Sequence, residues 1–382
     1  MLVPKLRFKR EDGTEYPEWD KKTIGKYARI YDGVHQTPNY IESGVPFVSV
    51  EDIESLDTPT KFISAEDYER DFKTKPKIGD ILMTRIGDVG RTAIVPCDGY
   101  AYYVSLALIK PFASVSNKFL CQAMKGDFFQ RELWEHTIHT AFPKKINAGD
   151  IQHCEISIPS DLEEQQKIAD FLSAVDEVIA QSQAEVQNLA QQKKAAMQKI
   201  FSQEVRFKKD DGTEYPQWEE KCIKDIAPLQ RGFDLPEKER VSGEYPVVCS
   251  NGIVAYHNQY KCEGYAVITG RSGTIGNFTY LDNCKYWAHN TSLWVTDFCG
   301  NYPKFVYYFY QTIKIEQYAT GTGVPTLNRN NVHSSRHYIP CFEEQQKISD
   351  FLSAYDEAIS CAKQELEHWK QLKKGLLQQM FV

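Results

Sequence analysis

The sequence predicts an α+β fold in which two globular mixed α/β domains alternate with two long helices. The helices are expected to form an antiparallel coiled coil, with the two halves of the chain related by a pseudo-two-fold axis. Three observations lead to this prediction. Two sequence blocks each occur twice, a heptad pattern follows one of them in both copies, and the stretches between the helices have the composition of short strands and turns.

Each half of the chain contains one copy of both blocks. Residues 7–19 and 206–218 are identical at 10 of 13 positions, and residues 163–179 and 343–359 at 14 of 17. The first pair is offset by 199 residues and the second by 180, so the interiors of the two halves differ in length. Like halves with unlike interiors predict one scaffold that presents two different binding surfaces.

The second block begins a long seam in each half. Seam residues, most of them apolar, recur at alternating steps of four and three for more than four heptads, which is the pattern of a coiled coil. Neither segment contains proline, so each is expected to form one helix of about 38 residues, roughly 57 Å long. The predicted seam positions are Ile168, Leu172, Val175, Ile179, Ser182, Val186, Leu189, Lys193, Ala196 and Ile200 in the first helix, and Ile348, Leu352, Tyr355, Ile359, Ala362, Leu366, Trp369, Lys373, Leu376 and Met380 in the second.

A lysine interrupts both seams at the same register, as Lys193 and Lys373. A polar seam residue often fixes the pairing register of a coiled coil, at some cost in stability. A lysine near an open end of a helix pair can instead extend its ammonium group into solvent. The sequence favours neither interpretation over the other.

The intervening stretches are rich in Tyr, Phe, Val and Thr and carry turn dipeptides such as Asp32-Gly33 and Asn251-Gly252. This composition is typical of short strands joined by loops. Residues 119–134 and 303–317 are the expected helices within them. The predicted domains are residues 1–160 and 204–340, which are globular, and residues 161–203 and 341–382, which are the long helices.

Composition argues against several classes of protein. The chain has 382 residues, of which 42% are hydrophobic and 25% charged, an ordinary balance for a globular protein. No stretch approaches the roughly 20 apolar residues that cross a bilayer, and the first residues lack the apolar core of a signal peptide, so we expect a cytoplasmic location. The ten cysteines occur singly, without a Cys-x-x-Cys pair, which disfavours a zinc ribbon or a disulfide framework.

The net charge of −7 is unlike that of a simple nucleic-acid binder, which is usually basic. Residues 161–203 and 341–382 have net charges of −3 and −2, whereas residues 204–340 have none. If the chain binds DNA, a partner must therefore supply part of the surface that neutralises the phosphates.

We found no catalytic signature. The chain has no phosphate-binding loop with its lysine, no His-Glu-x-x-His and no Gly-x-Ser-x-Gly. It also lacks the Asn-Pro-Pro-Tyr/Phe motif of amino-methyltransferases. The histidine pairs at 136/139 and 333/337 have no carboxylate at metal-site spacing. These absences predict a protein that is not an enzyme, without a catalytic or metal site and without a cofactor of its own.

A motif of the form Arg-x-Gly-x-(Val/Ile)-Gly, which we name the glycine turn, occurs in each half, at residues 85–90 and 271–276. Each copy follows an apolar strand. Its glycines permit a tight turn that approaches a ligand closely, and an arginine can bind a phosphate or a guanine edge. A structural β-turn with a surface arginine is the alternative interpretation. The candidate DNA-binding residues in and beside the turns are Arg85, Asp88, Arg91, Arg271, Ser272 and Thr274.

Two loop pairs are further candidates for the same role, with ordinary solvated loops as an equally weighted alternative. An early loop, residues 32–40, corresponds to residues 231–236, and a late loop, residues 139–147, corresponds to residues 320–329. Their candidate residues are His35, Thr37, Asn39, Tyr40 and Arg231 in the early pair, and Lys144, Lys145, Asn147, Thr326, Asn328 and Arg329 in the late pair.

Glu-Glu-Gln-Gln-Lys-Ile-(Ala/Ser)-Asp-Phe-Leu opens both long helices, and a glycine turn occurs in each globular part. Together with the alternation of two globular domains and two helices, these motifs resemble the specificity (S) subunit of type I restriction–modification systems. The resemblance covers essentially the whole chain. The early loop at 32–40 is also similar to a loop of the N-terminal recognition domain in this family.

The resemblance implies a non-catalytic subunit that binds double-stranded DNA and selects a bipartite, asymmetric site, each target-recognition domain reading one half. It implies that the helices fix the length of the spacer between the halves. A helix of roughly 57 Å would separate the domains by no more than about 17 base pairs at ~3.4 Å per pair.

The resemblance further implies two kinds of partner. Two modification subunits would bind S-adenosylmethionine and methylate adenine N6, and two restriction subunits would use ATP with Mg²⁺. Two other functions stay open on the sequence itself: a coiled-coil protein scaffold without direct DNA readout, and a self-sufficient methyltransferase or nuclease, which would need a cofactor motif.

Overall fold

The computed structural model describes residues 4–320 and 325–381, and the chain divides into two compact units. Unit 1 is Met1–Gln183 with Gln364–Val382, and unit 2 is Ala184–Lys363. Each unit therefore combines one globular head with parts of both long helices. The predicted boundaries between heads and helices, which cut the chain differently, stay a prediction.

Head 1, residues 4–160, is built on a four-stranded antiparallel sheet, with a three-stranded and a two-stranded sheet beside it. Their strand orders are β2-β8-β5-β6, β4-β3-β7 and β1-β9. The elements are β1 (Trp19–Thr23), β2 (Ala28–Asp32), β3 (Val45–Val48), β4 (Phe62–Ile63), α1 (Ala65–Asp71), β5 (Ile81–Thr84), β6 (Thr92–Ile94), β7 (Ala101–Tyr102), β8 (Leu106–Pro111), α2 (Asn117–Met124), α3 (Asp127–His136), α4 (Ala148–Ile151) and β9 (Glu155–Pro159), followed by the long helix α5 (Leu162–Phe201).

Head 2, residues 204–340, has a single six-stranded sheet of order β11-β16-β14-β15-β12-β13 and two small sheets, β10-β19 and β17-β18. All its pairings are antiparallel except that of β12 with β15. The elements are β10 (Glu219–Cys222), α6 (Ile223–Ile226), β11 (Leu229–Arg231), β12 (Tyr245–Cys249), β13 (Gly252–His257), β14 (Cys262–Gly270), β15 (Phe278–Ala288), β16 (Ser292–Val295), α7 (Pro303–Thr312), β17 (Ala319–Thr320), β18 (Thr326–Leu327), α8 (Arg329–His333) and β19 (Arg336–Ile339), followed by the long helix α9 (Phe342–Met380).

The strand before each glycine turn is buried on both faces. Successive side chains of a strand point to opposite faces, so Ile81 of β5 lies in the core that includes α2 and Leu82 lies in the core beneath β3. In head 2, Val267 and Ile268 of β14 divide in the same way between two cores. Continuous apolar runs are what such doubly covered strands require, and they hold both glycine turns on rigid strands.

Burial along both long helices follows the heptad pattern. Every predicted seam position is buried or half-buried, whereas most residues between them are exposed. In unit 1, Ile168 near the start of α5 shares a core with Met380 at the end of α9. In unit 2, Ile200 at the end of α5 shares a core with Ile348 near the start of α9. The two helices therefore run antiparallel within each unit.

The two shorter helices predicted inside the heads differ from expectation in detail. Residues 119–134 belong to two helices, α2 and α3, because the chain becomes extended at Gly126, the residue before α3. A Cβ there would lie 2.9 Å from the Cβ of Phe381, so the break lets the end of α9 approach closely. Residues 303–317 form α7 and then a separate 3₁₀ turn, Ile315–Tyr318.

All ten cysteines are free thiols. In the described part of the chain, no helix is both long enough and apolar enough to cross a membrane.

Candidate nucleic-acid interface

In each unit, an arginine and a tryptophan of the first copied block bind a buried glutamate at the start of the long helix. We name this set of three residues the clasp. In unit 1, Arg7 donates to both carboxylate oxygens of Glu164, at 2.6 and 2.9 Å, and the indole of Trp19 donates to the same carboxylate at 3.2 Å. The Glu164 side chain is fully buried. The hydrogen bond to Glu164 raises the pKa of Arg7.

Unit 2 repeats this clasp with the second copy of the block. Arg206 donates to the carboxylate of Glu344 at 2.7 and 3.3 Å, and Trp218 donates at 3.1 Å. The clasp explains why these two blocks are copied together: a buried carboxylate on the helix requires its arginine and indole partners. The copied blocks are thus the joints that position each head on the helices.

The glycine turn of head 1 is a tight turn of the predicted kind. Gly87 and Gly90 have φ of 85° and 103°, in the left-handed region that favours glycine. The turn is joined to the late loop, because Gly87 N donates to Lys144 O at 2.8 Å and Ile146 N donates to Arg85 O at 2.9 Å. The structure therefore brings together two of the three candidate segments of this head.

Arg85 does not lie on the surface of this turn. Its side chain is 7% exposed, donates to Val104 O and Ile146 O at 2.9 Å each, and is ion-paired with Asp32 at 3.0 Å. All three guanidinium nitrogens are thus engaged, and they join the early loop, the glycine turn and the late loop. The expected contact of Arg85 with a phosphate or base is corrected to a structural role.

The polar groups of this turn that reach solvent are Asp88, which is exposed, and Arg91, which is half-buried. The Arg91 guanidinium lies 3.1 Å from Asp88 and 3.2 Å from Glu54, and it donates to Val50 O at 3.2 Å. Because these contacts are on the surface, they are weak enough to exchange for contacts with a ligand. Their DNA-binding role stays a prediction.

The late loop of head 1 carries cations and aromatic rings together. Lys144 and Lys145 are exposed, and the Lys144 ammonium lies 4.5 Å from the ring centroid of Trp134 on α3. Trp134 is 58% exposed and Phe142, in the same loop, is completely exposed. Neither ring is among the candidate residues, because the sequence does not distinguish an exposed aromatic ring from one in the core. Asn147 is exposed, and its amide donates to Asp150 at 2.8 Å.

A cleft of about 230 Å³ separates the glycine turn from α3 and is lined by Gly87, Asp88, Trp134 and Lys144, among others. It marks the point where the turn and the late loop face solvent together.

The early loop of head 1 lies beside α1. The exposed candidates here are His35, Thr37, Asn39 and Tyr40, the first three of which line a cleft with Arg70 of α1. The loop is joined to the glycine turn only through its first residue, Asp32, the ion-pair partner of Arg85, among the contacts of the described residues.

Head 2 repeats the joint between turn and late loop with different side chains. Gly273 and Gly276 have φ of 82° and 89°, Leu327 N donates to Arg271 O at 2.7 Å, and Ser272 pairs with Thr326. Arg271 is half-buried, and within residues 4–320 and 325–381 its guanidinium has no hydrogen-bond or ion-pair partner. The equivalent of the buried Arg85 is therefore available to a ligand. Thr274 is exposed.

The other candidates of head 2 are on its surface. Arg231 is exposed and ion-paired with Asp234 at 3.1 Å. Asn328 caps α8 by accepting from Asn330 N at 3.0 Å, so its side-chain oxygen is already engaged. Arg329 begins α8 and is exposed. Gly321–Val324 of the late loop lie outside the described residues.

His333 of α8 is a structural histidine. Burial lowers its pKa, nearby Arg329 adds to the effect, and its Nε2 accepts from Leu229 N at 2.9 Å, which requires an unprotonated nitrogen. No group of three potential metal ligands occurs among the described residues.

A sequence model described as the type I restriction modification DNA specificity domain matches this chain twice, at residues 18–191 and 215–370. Each match begins inside a copy of the first block, residues 7–19 or 206–218, and extends into a long helix. The two halves of the chain are thus two copies of one domain.

Individual relatives agree with this match. A Methanocaldococcus jannaschii protein named as the MjaX type I restriction enzyme specificity subunit is 24% identical over 97% of this chain and 94% of its own length. Among solved structures, the S subunit of a type I restriction–modification system from M. genitalium superposes with a TM-score of 0.64 at 17% identity, covering 100% of this chain and 99% of that chain. A chain from a structure of complex assembly and conformational transition in the type I R-M system has a TM-score of 0.56 at 13% identity, covering 94% and 97%. These two structures share the fold.

Proposed function

The chain belongs to the type I restriction–modification DNA specificity family, and on that premise we propose that its two heads each read one half of a bipartite, asymmetric DNA site. Head 1 presents Asp88, Arg91, Lys144 and Lys145, whereas head 2 presents Arg271, which has no ion-pair partner among the described residues. Different polar groups on the same turn favour different base edges. The half-sites are therefore expected to differ in sequence.

The observation that carries this proposal is the repeated joint between the glycine turn and the late loop. Both heads connect these segments by the same backbone pairing, and both units contain a clasp of the same chemistry. The joints are alike and the exposed side chains are not, which is what two reading surfaces on one scaffold require.

The long helices support the role of a spacer. Helices α5 and α9 have 40 and 39 residues, each roughly 60 Å long at 1.5 Å per residue. A helix of this length would separate the heads by no more than about 18 base pairs, since one pair occupies ~3.4 Å of duplex.

The proposal also assigns the chemistry to partners. The chain itself is non-catalytic and holds no cofactor; two modification subunits carry S-adenosylmethionine, and two restriction subunits carry ATP with Mg²⁺. The net charge of −7 supports this division, because the partners would then supply part of the positive charge that neutralises the phosphates. The assembly would work in the cytoplasm.

The test is co-expression of the full chain with its modification subunit in a host without other adenine methylation, followed by single-molecule long-read sequencing. We expect N6-methyladenine in both halves of one split motif, and none when the modification subunit is expressed alone. A continuous short motif, or no motif, would contradict the proposal. S-adenosylmethionine binding by the isolated chain would instead favour a self-sufficient enzyme.

A further inference from the structure

The lysines that interrupt the two seams are buried and paired. Lys193 Nζ lies 2.6 Å from Asp356 Oδ1 in unit 2, and Lys373 is ion-paired with Asp176 in unit 1. Each lysine side chain is 13% exposed. Neither ammonium extends into open solvent, so the interpretation as solvent-seeking lysines is wrong for both. Burial lowers the pKa of Lys373, with nearby Lys125 as a second cause.

Each aspartate also binds its own head. Tyr308 of α7 donates to the second oxygen of Asp356 at 2.6 Å, and Gln122 of α2 donates to the second oxygen of Asp176 at 2.7 Å. We name each set of three residues a clamp. A clamp joins α5, α9 and a head helix through one carboxylate, because each of its two oxygens has a different partner.

The clamps are two copies of one arrangement. Lys193 and Lys373, like Asp176 and Asp356, are separated by 180 residues, the offset of the copied helices. Only the head residue differs in chemistry, as Gln122 in one clamp and Tyr308 in the other. Two heads of different sequence thus provide a hydrogen-bond donor at the same place, which a coincidental surface contact would not do.

The apolar seam residues alone do little to fix the register between α5 and α9. Apolar residues recur with the heptad, so a displacement of one heptad again places apolar residues against apolar residues. The lysine is the exception, because a displaced Lys193 would leave an ammonium that is only 13% exposed without its charge partner Asp356. A single polar seam residue is a well-established means of selecting one register.

We propose that the two clamps are positioning devices, in which Lys193 with Asp356 and Lys373 with Asp176 set the register of the helices in each unit and fix the head on them. On the proposed function, which this inference deepens, the clamps determine how strictly the complex discriminates between spacer lengths.

The first test uses the full chain in complex with its modification subunit. Lys193→Met and Lys373→Met remove the charge while keeping an unbranched apolar side chain, and Lys194→Met and Lys374→Met are matched controls at exposed neighbouring positions. The methylation rate is measured on the cognate site and on sites with one base pair more or less in the spacer. We expect the ratio of the methylation rates on the cognate and altered spacers to fall roughly tenfold in the clamp variants. The control variants should keep the ratio of the parent.

The second test reads the register without DNA. Spin labels at the exposed positions Gln192 and Glu357 report the distance between α5 and α9 in unit 2. We expect one narrow distance in the parent chain, a broad or split distribution in Lys193→Met, and a narrow distribution again when Lys193→Asp is combined with Asp356→Lys. The exchanged pair is the rescue that a general loss of stability cannot produce.

The outcomes separate the two proposals. A narrow distance in Lys193→Met, together with unchanged spacer discrimination in both methionine variants, would overturn the clamp, and so would a lower melting temperature with discrimination unchanged. If no split motif is methylated even by the parent complex, the proposed function fails, whereas the distance measurement still decides whether the lysines set the register.

Discussion

The clasps of the two units are nearly identical, whereas the glycine turns that they support are not. In both clasps an arginine donates twice to a buried glutamate and a tryptophan donates once. At the turns, Arg85 is enclosed by carbonyl groups and Asp32, while Arg271 is half-buried and unpaired among the described residues. The same motif therefore stabilises one head and offers a cation to a ligand in the other.

This difference shows what the duplication has preserved. A buried carboxylate allows few substitutions, because any partner that is lost leaves an unpaired charge in the interior. An exposed side chain on a turn carries no such requirement, so two copies can differ there without loss of the fold. The comparison between clasp and turn can be tested at several points.

The largest effect is expected from breaking a clasp. Replacing Arg206 with alanine leaves Glu344 buried without its charge partner, which should lower the free energy of unfolding by about 3 kcal/mol. Arg7→Ala should have an effect of the same size through Glu164. Denaturant titration of the isolated chain measures both.

The control for the clasp is Lys9→Ala, in the same copied block. The Lys9–Glu15 pair is exposed on both sides, so its loss should change stability by no more than about 0.5 kcal/mol. An equal loss of stability in Lys9→Ala and Arg7→Ala would show that the pair with the buried glutamate contributes no more to the free energy of unfolding than an exposed pair.

The next effect concerns the seam. Leu189→Asp and Leu366→Asp place a carboxylate at half-buried seam positions, which should cost about 2 kcal/mol each and weaken methylation of both half-sites together. Leu372→Asp is the control, because this leucine is 41% exposed on the same helix as Leu366. Loss of only one half-site in Leu189→Asp would contradict the separation of scaffold and heads.

The scaffold was predictable from sequence because its signals are periodic and repeated. A heptad seam depends on residue type and spacing alone, and its positions were all found buried or half-buried. The strands before both glycine turns were recognisable as short apolar runs. The break at Gly126 was not, because the approach of Phe381, 255 residues later in the chain, decides it.

The candidate interface was less predictable, since exposure depends on tertiary neighbours. Arg85 and Arg271 occupy the same position of one motif, yet only the former meets Asp32 and two carbonyl groups. Trp134 and Phe142 are indistinguishable from core aromatics by composition. The partner of each buried group is remote in sequence, and no local pattern reveals it.

The two arginines provide the third prediction. Arg85→Ala removes hydrogen bonds to two carbonyl groups and an ion pair, and should lower the stability of head 1 by about 2 kcal/mol. Arg271→Ala should leave stability unchanged and reduce methylation at one half-site by roughly tenfold, the usual discrimination of one arginine contact. Thermal unfolding and site-resolved sequencing distinguish the effects. A loss of stability in Arg271→Ala would show that Arg271, like Arg85, has a structural role.

The smallest effect is expected at the exposed ring of the late loop in head 1. Phe142 is completely exposed, and the backbone of its loop is held to the glycine turn because Gly87 N donates to Lys144 O, two residues after the ring. An exposed aromatic ring can insert between two base pairs of a duplex, and Phe142→Ala should weaken binding of the complex to its first half-site by about 1 kcal/mol. Phe142→Tyr, which keeps the ring, should bind like the parent. Fluorescence of 2-aminopurine placed in each half-site reports the stacking. Equal binding by the alanine and tyrosine variants would show that the ring is not part of the interface, and head 1 would then rely on its polar groups alone.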